Sequence, residues 1–234
     1  MSLRKALALG AALFTLAFGA TAQPVPSTPY ERLQPAQPTD VPAGKIEVIE
    51  FFWYGCPHCF RLEPSLNAWL KNKPADVVFK RVHAVPSPAW LPHAKIYYTL
   101  ETMGLADKLH DKVFDGIHKD GKNLTNDKIL DAWLQQNGVD AAKYHEVEKS
   151  FTVDSKLKRA NQLTAAYKVD GVPRVFVDGK LYTGPEFAGG EDRIMAAVDE
   201  MIAAERKAGM GSAPAAPAKD APKAAAPKDA GKKK

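Results

Sequence analysis

The feature that most constrains this chain is an abrupt change of hydrophobic period at Gly55 and Cys56. Residues 45–53, KIEVIEFFW, are rich in β-branched and aromatic side chains over the length of one strand, consistent with a buried strand. From Cys56 onward, Phe60, Leu62, Leu66, Trp69 and Leu70 recur at helical spacing until Pro74. Residues 77–85, VVFKRVHAV, predict a second strand ending at Pro86. About 75 residues of helical pattern follow, punctuated near Gly104, Gly121 and Gly138, with Asn126 and Asp140 as caps; four or five helices fit there. After Gly171 the pattern reverts: residues 174–184, RVFVDGKLYTG, read as strand, Asp-Gly turn and strand. A last amphipathic helix spans about Gly190 to Ala208.

The order is therefore β-α-β, helical block, β-β-α. Taken as one domain over residues 44–208, it predicts an α/β fold: a mixed sheet with helices on its faces and an all-helical insertion at about 87–168. Two separate domains are the alternative, but the last three elements have no partner core unless they return to the first sheet.

Composition adds two limits. Lys and Arg number 32 against 27 Asp and Glu, a net charge of +5, yet the excess sits at the ends. Arg4 and Lys5 lie in the first 22 residues, and residues 209–234 hold six Lys and two Asp, which leaves the stretch between at −1. A nearly neutral body has no broad cationic face for phosphates, so nucleic acid is not expected as a partner. Residues 1–22 show a basic start, an apolar run from Ala6 to about Ala20 and small residues before Gln23, the layout of a signal peptide cut after Ala22. A retained anchor is the other reading, but the run is shorter than the roughly 20 residues needed to span a bilayer. Residues 23–43 carry six prolines and read as an extended leader. Residues 209–234, with nine Ala, four Pro and scattered Lys, cannot bury enough surface to offset ordering entropy and are expected to be disordered.

The chain has only two cysteines, Cys56 and Cys59, in C-P-H-C at the strand-to-helix junction. In an exported protein a lone pair would normally staple distant segments, because closing a longer loop constrains the unfolded chain more. A spacing of three rules that role out, so the pair points to reactivity. C-x-x-C is also half of a zinc site, but a second Cys pair and a spaced His pair are both missing, and haem attachment would need His where Phe60 stands. No metal and no separate cofactor are expected; the redox group is the Cys56-Cys59 pair itself.

Pro57 suits the first helical position, where its missing N–H costs nothing. Cys56 then sits at the positive end of the helix with free amides facing its sulfur, and His58 adds a donor or positive charge unless it merely faces solvent. These effects favour thiolate and lower the Cys56 pKa, while Cys59, one turn inside, is expected to be more buried with an ordinary or raised pKa. Cys56 becomes the attacking and attacked sulfur, and Cys59 resolves the mixed disulfide. Each unit of depression is worth about 1.4 kcal/mol, or about 30 mV for a two-electron couple, so roughly three units would separate a reductant from an oxidant.

The stretch Glu50-Phe51-Phe52-Trp53-Tyr54-Gly55-Cys56-Pro57-His58-Cys59, the later Gly171-Val172-Pro173, the signal peptide and the helical insertion together resemble the DsbA family of periplasmic thiol oxidases over about residues 40–208. The resemblance implies a thioredoxin-like sheet with an inserted helical subdomain. It also implies a depressed cysteine pKa and an oxidising disulfide. It further implies that Pro173 is a cis-proline facing the redox pair and that the Val172 backbone pairs with extended substrate. Glu50 and Lys80 are similar to a buried charged pair beneath the resolving cysteine, and Glu63 matches a further acidic position, so the three would move that thiol's proton; otherwise these charges face solvent. By the same resemblance the partners are unfolded exported polypeptides with free thiols and a quinone-linked inner-membrane oxidase of DsbB type, in the periplasm.

Gly55 stands where the family's best-known member has a bulky aromatic, which leaves Trp53 and Tyr54 either to supply the apolar substrate surface or to pack in the core. Two other functions compete. An exported isomerase or reductase shares the fold, but known isomerases carry a dimerisation domain, and here 33 residues separate the expected cleavage site from Cys56, 21 of them in the leader; a monomeric oxidase is expected. A non-catalytic peptide-binding chaperone would need neither cysteine.

Overall fold

The computed structural model describes residues 28–209. The expected signal peptide, the first residues of the leader and all but the first residue of the Ala/Pro/Lys tail lie outside the described residues. A five-stranded mixed sheet has the order β1-β5-β4-β2-β3. Strand β2 (Ile46–Phe52) is buried along its whole length, because it is central in the sheet and covered on both faces. It pairs in parallel with β3 (Val77–His83) and antiparallel with β4 (Arg174–Val177). The first helix, α1 (Pro57–Lys71), makes the β2–β3 crossover.

The helical insertion starts with a 3-10 turn at Pro88–Trp90 and contains α2 (Leu91–Thr102), α3 (Ala106–His118), α4 (Asp127–Gln136), α5 (Ala141–Glu148) and α6 (Phe151–Ala166). Both expected caps hold their helices: the Asn126 side chain accepts from the amides of Lys128 and Ile129, and Asp140 accepts from Lys143. The chain then returns to the sheet through β4 and β5 (Leu181–Thr183), joined at Asp178-Gly179, both with positive φ. A short helix α7 (Pro185–Ala188), not anticipated from the sequence, and a 3-10 turn at Glu191–Arg193 precede α8 (Ile194–Lys207).

The two sheet faces carry different cores. Ile46 and Val48 pack with Leu62 and Leu66 of α1 and with α8; Ile49 and Phe51 join the larger cluster that includes the helical insertion. One domain with an insertion is thus realised, since the C-terminal elements complete the sheet begun by β2.

The leader is more than a spacer. Its Glu31–Arg32 segment forms β1 against β5, and the Leu33 side chain is buried in the larger core. The position is an edge, where a proline-rich segment costs few ladder bonds. Further along, the Gln37 amide donates to the Gly179 carbonyl at 2.8 Å, and a Cβ on Gly179 would come within 2.1 Å of the Gln37 carbonyl oxygen. Gly179 therefore serves both the turn and the close passage of the leader.

Candidate active site

Cys56 is the N-cap of α1, with Pro57 at the first helical position. Both cysteines are free thiols in this structure, Cys59 fully buried and Cys56 7% exposed. The Cys56 thiol donates to the Val172 carbonyl at 3.3 Å, and the Val172–Pro173 peptide bond is cis. The loop before β4 is thereby placed against the start of α1, 116 residues away in sequence.

The two sulfurs differ sharply. The Cys56 pKa is lowered to about 6, first by a hydrogen bond from the Cys59 thiol, then by the backbone amides of Cys59 and His58 and by the charge of His58, all against the opposing effect of burial. Cys59 is pushed well above the usual thiol range, chiefly by burial. The expected asymmetry is present, but its leading cause is the partner thiol, and the charge of His58 ranks below the two backbone amides. The sequence offers the helix terminus and the histidine; the influence of the partner thiol follows from both cysteines lying on the first turn of α1.

Beneath the pair lies a buried polar network. Glu50, fully buried in β2, accepts from Arg81 Nε at 3.1 Å, and Arg81 Nη2 donates to Glu63 Oε2 at 3.1 Å. His110 of α3 links Glu63 Oε1, at 3.1 Å, to the Tyr54 hydroxyl, also at 3.1 Å. Burial raises both carboxyls to about 7 despite Arg81, and it pushes His110 down to about 3. Glu50 Oε1 has no hydrogen-bond partner, and its charge is among the influences that raise Cys59. A cavity of about 350 Å³ reaches Arg81 and His110 from the surface.

Lys80 is not in this network, which corrects the pairing expected with Glu50. In the parallel register Glu50 lies beside Arg81, and Lys80 lies beside Ile49. Successive side chains on a strand point to opposite faces, so Lys80 emerges on the other side of the sheet, where it pairs with Glu47 at 2.6 Å and with Asp40. The buried cation is Arg81, one residue along. Glu50 and Glu63 do come together, across α1 and β2.

The aromatic surface is divided. Tyr54 is buried among Phe52, Tyr97, His110 and Phe114 and belongs to the core. Trp53 is half-buried and stacks on Trp90, with centroids 4.4 Å apart and planes at 19°. Its indole lies over Gly55, where a Cβ would approach within 2.3 Å of the ring. Gly55 thus makes room for a tryptophan that reaches the rim from two residues earlier.

His58 stands at the mouth, 56% exposed, with its Nδ1 2.5 Å from Glu191 Oε1. Arg81, His110, Trp90, Arg61 and Glu191 were not singled out by sequence reasoning. Strand parity would have pointed to Arg81, whereas nothing local signals Glu191, 133 residues from His58.

Known proteins agree with this geometry. The model of the DSBA-like thioredoxin domain family matches residues 91–201. A thiol:disulfide interchange protein DsbA of Azotobacter vinelandii is 39% identical over 206 residues, covering 87% of this chain and 96% of the relative. The chain belongs to the DsbA family. The crystal structure of Pseudomonas aeruginosa DsbA superposes with a TM-score of 0.72 at 38% identity, covering 77% of this chain and 94% of that one. A DsbA oxidoreductase from Xylella fastidiosa gives 0.69 at 27%, covering 76% and 95%. Within this DsbA fold the insertion supplies Trp90 and His110 to the site, and the thioredoxin-like sheet supplies Glu50 and Arg81.

Proposed function

We propose that this DsbA-family thiol:disulfide oxidoreductase works in the oxidising direction, in the periplasm, as a monomer and with no redox group beyond Cys56 and Cys59. A substrate thiolate attacks Cys56 Sγ of the disulfide form, the Cys56–Cys59 bond breaks, and Cys59 leaves and takes up a proton. A second substrate thiolate then attacks the substrate sulfur of the mixed disulfide and expels Cys56 as thiolate. Two substrate thiolates become one disulfide, and the protein carries away two electrons. The observation that supports this reading best is the opposed environment of the two sulfurs: the group expelled in the second step is the one whose anion is stabilised, so the reduced protein is the favoured product.

The Glu50–Arg81–Glu63 network supports handling of the Cys59 proton, since both carboxyls lie close to neutrality and one oxygen of Glu50 is unpaired. Val172 and Pro173 line the entry to Cys56 and support backbone pairing with an extended chain. Natural substrates are accordingly unfolded exported polypeptides with free thiols, and re-oxidation falls to a quinone-linked membrane oxidase. The test is equilibration of the Cys56/Cys59 couple with glutathione. A potential above about −180 mV is expected, and one near about −270 mV, the range of a cellular reductant, would refute the oxidising direction.

A further inference from the structure

The C-terminal part of the chain reaches back to the mouth of the redox centre. After α7 the chain reverses through Gly189 and Gly190, with φ of 83° and 133°, and this reversal sets the Glu191–Arg193 turn against the first turns of α1. His58 and Arg61, three residues apart, share one face of that helix. A single carboxylate oxygen, Glu191 Oε1, lies 2.5 Å from His58 Nδ1 and 2.7 Å from Arg61 Nη2, with Arg61 Nε at 3.2 Å. Arg61 Nη2 is also 2.7 Å from the same imidazole nitrogen. The two contacts to Nδ1 exclude each other: Arg61 can donate only to a bare nitrogen, and Glu191 can accept only from a protonated one.

The anion of the trio is the best sheltered. The Glu191 side chain is 20% exposed, against 52% for Arg61. Its carboxyl is held down to about 2, first by its own backbone amide and then by His58 and Arg61. His58 is one of the groups that favour the Cys56 thiolate. The imidazole two residues from the reactive sulfur is therefore itself held between an anion and a cation.

We propose that Glu191 and Arg61 are positioning residues for the redox centre: by competing for His58 Nδ1, Glu191 favours the protonated imidazole and Arg61 the neutral one, so the two act in opposite directions on the positive charge two residues from Cys56, and so on how oxidising the disulfide is. This rests on the oxidase reading given above. Through His58, Glu191 strengthens the couple and Arg61 restrains it. Unlike a simple packing role, such a role requires opposite signs from the two ends of one ion pair.

The test is a charge cycle. Glu191→Gln, Arg61→Gln and the double variant are each equilibrated with glutathione at pH 7 in low salt, with melting temperature as the control for folding. Gln keeps the size of Glu191 and removes its charge, and at position 61 it removes the charge while retaining an N–H donor on a shorter side chain. Because each acts through the charge of one exposed imidazole, Glu191→Gln should make the couple about two- to threefold less oxidising and Arg61→Gln about two- to threefold more. The double variant should return close to the parent, and 1 M salt should collapse both shifts. Titration of the thiolate absorbance should move the same way, to higher pH for Glu191→Gln and to lower pH for Arg61→Gln. Shifts of the same sign, or no shift in either well-folded variant, would overturn the assignment. A parent potential in the reductant range would instead sink the oxidase reading, while the differences between variants would still measure this one.

Discussion

The depressed Cys56 thiol makes the stability of the reduced protein depend on pH in a way that one substitution isolates. Compare reduced parent with Cys56→Ser, which keeps the fold's shape but cannot ionise in this range. A cysteine in the unfolded chain titrates near about 8.5, and Cys56 in the fold near about 6. Because the folded value is the lower one, its contribution is present above the unfolded pKa and lost as pH falls through the folded one. Linkage then makes the extra stability of the parent negligible at pH 5, about 1.4 kcal/mol at pH 7 and about 2.6 kcal/mol at pH 8. Only the part realised at pH 7 reaches the potential there, so Cys56 ionisation accounts for about 30 mV at neutrality rather than the about 90 mV of a full three-unit shift. The control is essential because Glu50 and Glu63 pull the other way: with folded pKa values raised to about 7, their contribution is present at low pH and lost as pH rises through 7. Urea midpoints of both reduced proteins between pH 5 and 8 provide the measurement, with the m-value held common. A stability gap that stays flat within about 0.5 kcal/mol, or narrows as pH rises, would refute the depressed thiol.

Two further outcomes follow from the packing. Arg81→Met should destabilise by about 3 to 5 kcal/mol in urea titration, because it strands two buried carboxyls, whereas Lys80→Met, which removes a side chain 32% exposed and strands only the one buried carboxyl of Glu47, should cost about half as much; equal costs would mean the buried cation is misassigned. Leu33→Ala should cost about 2 to 4 kcal/mol, read as a fall in urea midpoint, because that leader residue is buried in the main core; no change would make the leader a mere spacer.

What the sequence by itself determined is local. The switch from strand to helix at Cys56, the Pro57 start, the two helix caps and the Asp-Gly turn each depend on neighbours a few residues away, so pattern and residue chemistry suffice. The spacing of the cysteines likewise placed both sulfurs on one helical turn, which already assigns the outer and inner thiol. What only the tertiary structure decided involves parity and distance. Whether Lys80 or Arg81 meets Glu50 turns on strand register, where a one-residue step reverses the face, and no composition argument reads that. The proline-rich leader reads as an extended segment because proline lacks a donor, yet an edge position asks for few donors and Leu33 had a core to enter. Glu191 at His58, His110 at Glu63 and Trp90 over Trp53 join segments from 37 to 133 residues apart, contacts that exist only once the sheet has closed and the helical insertion has folded over it.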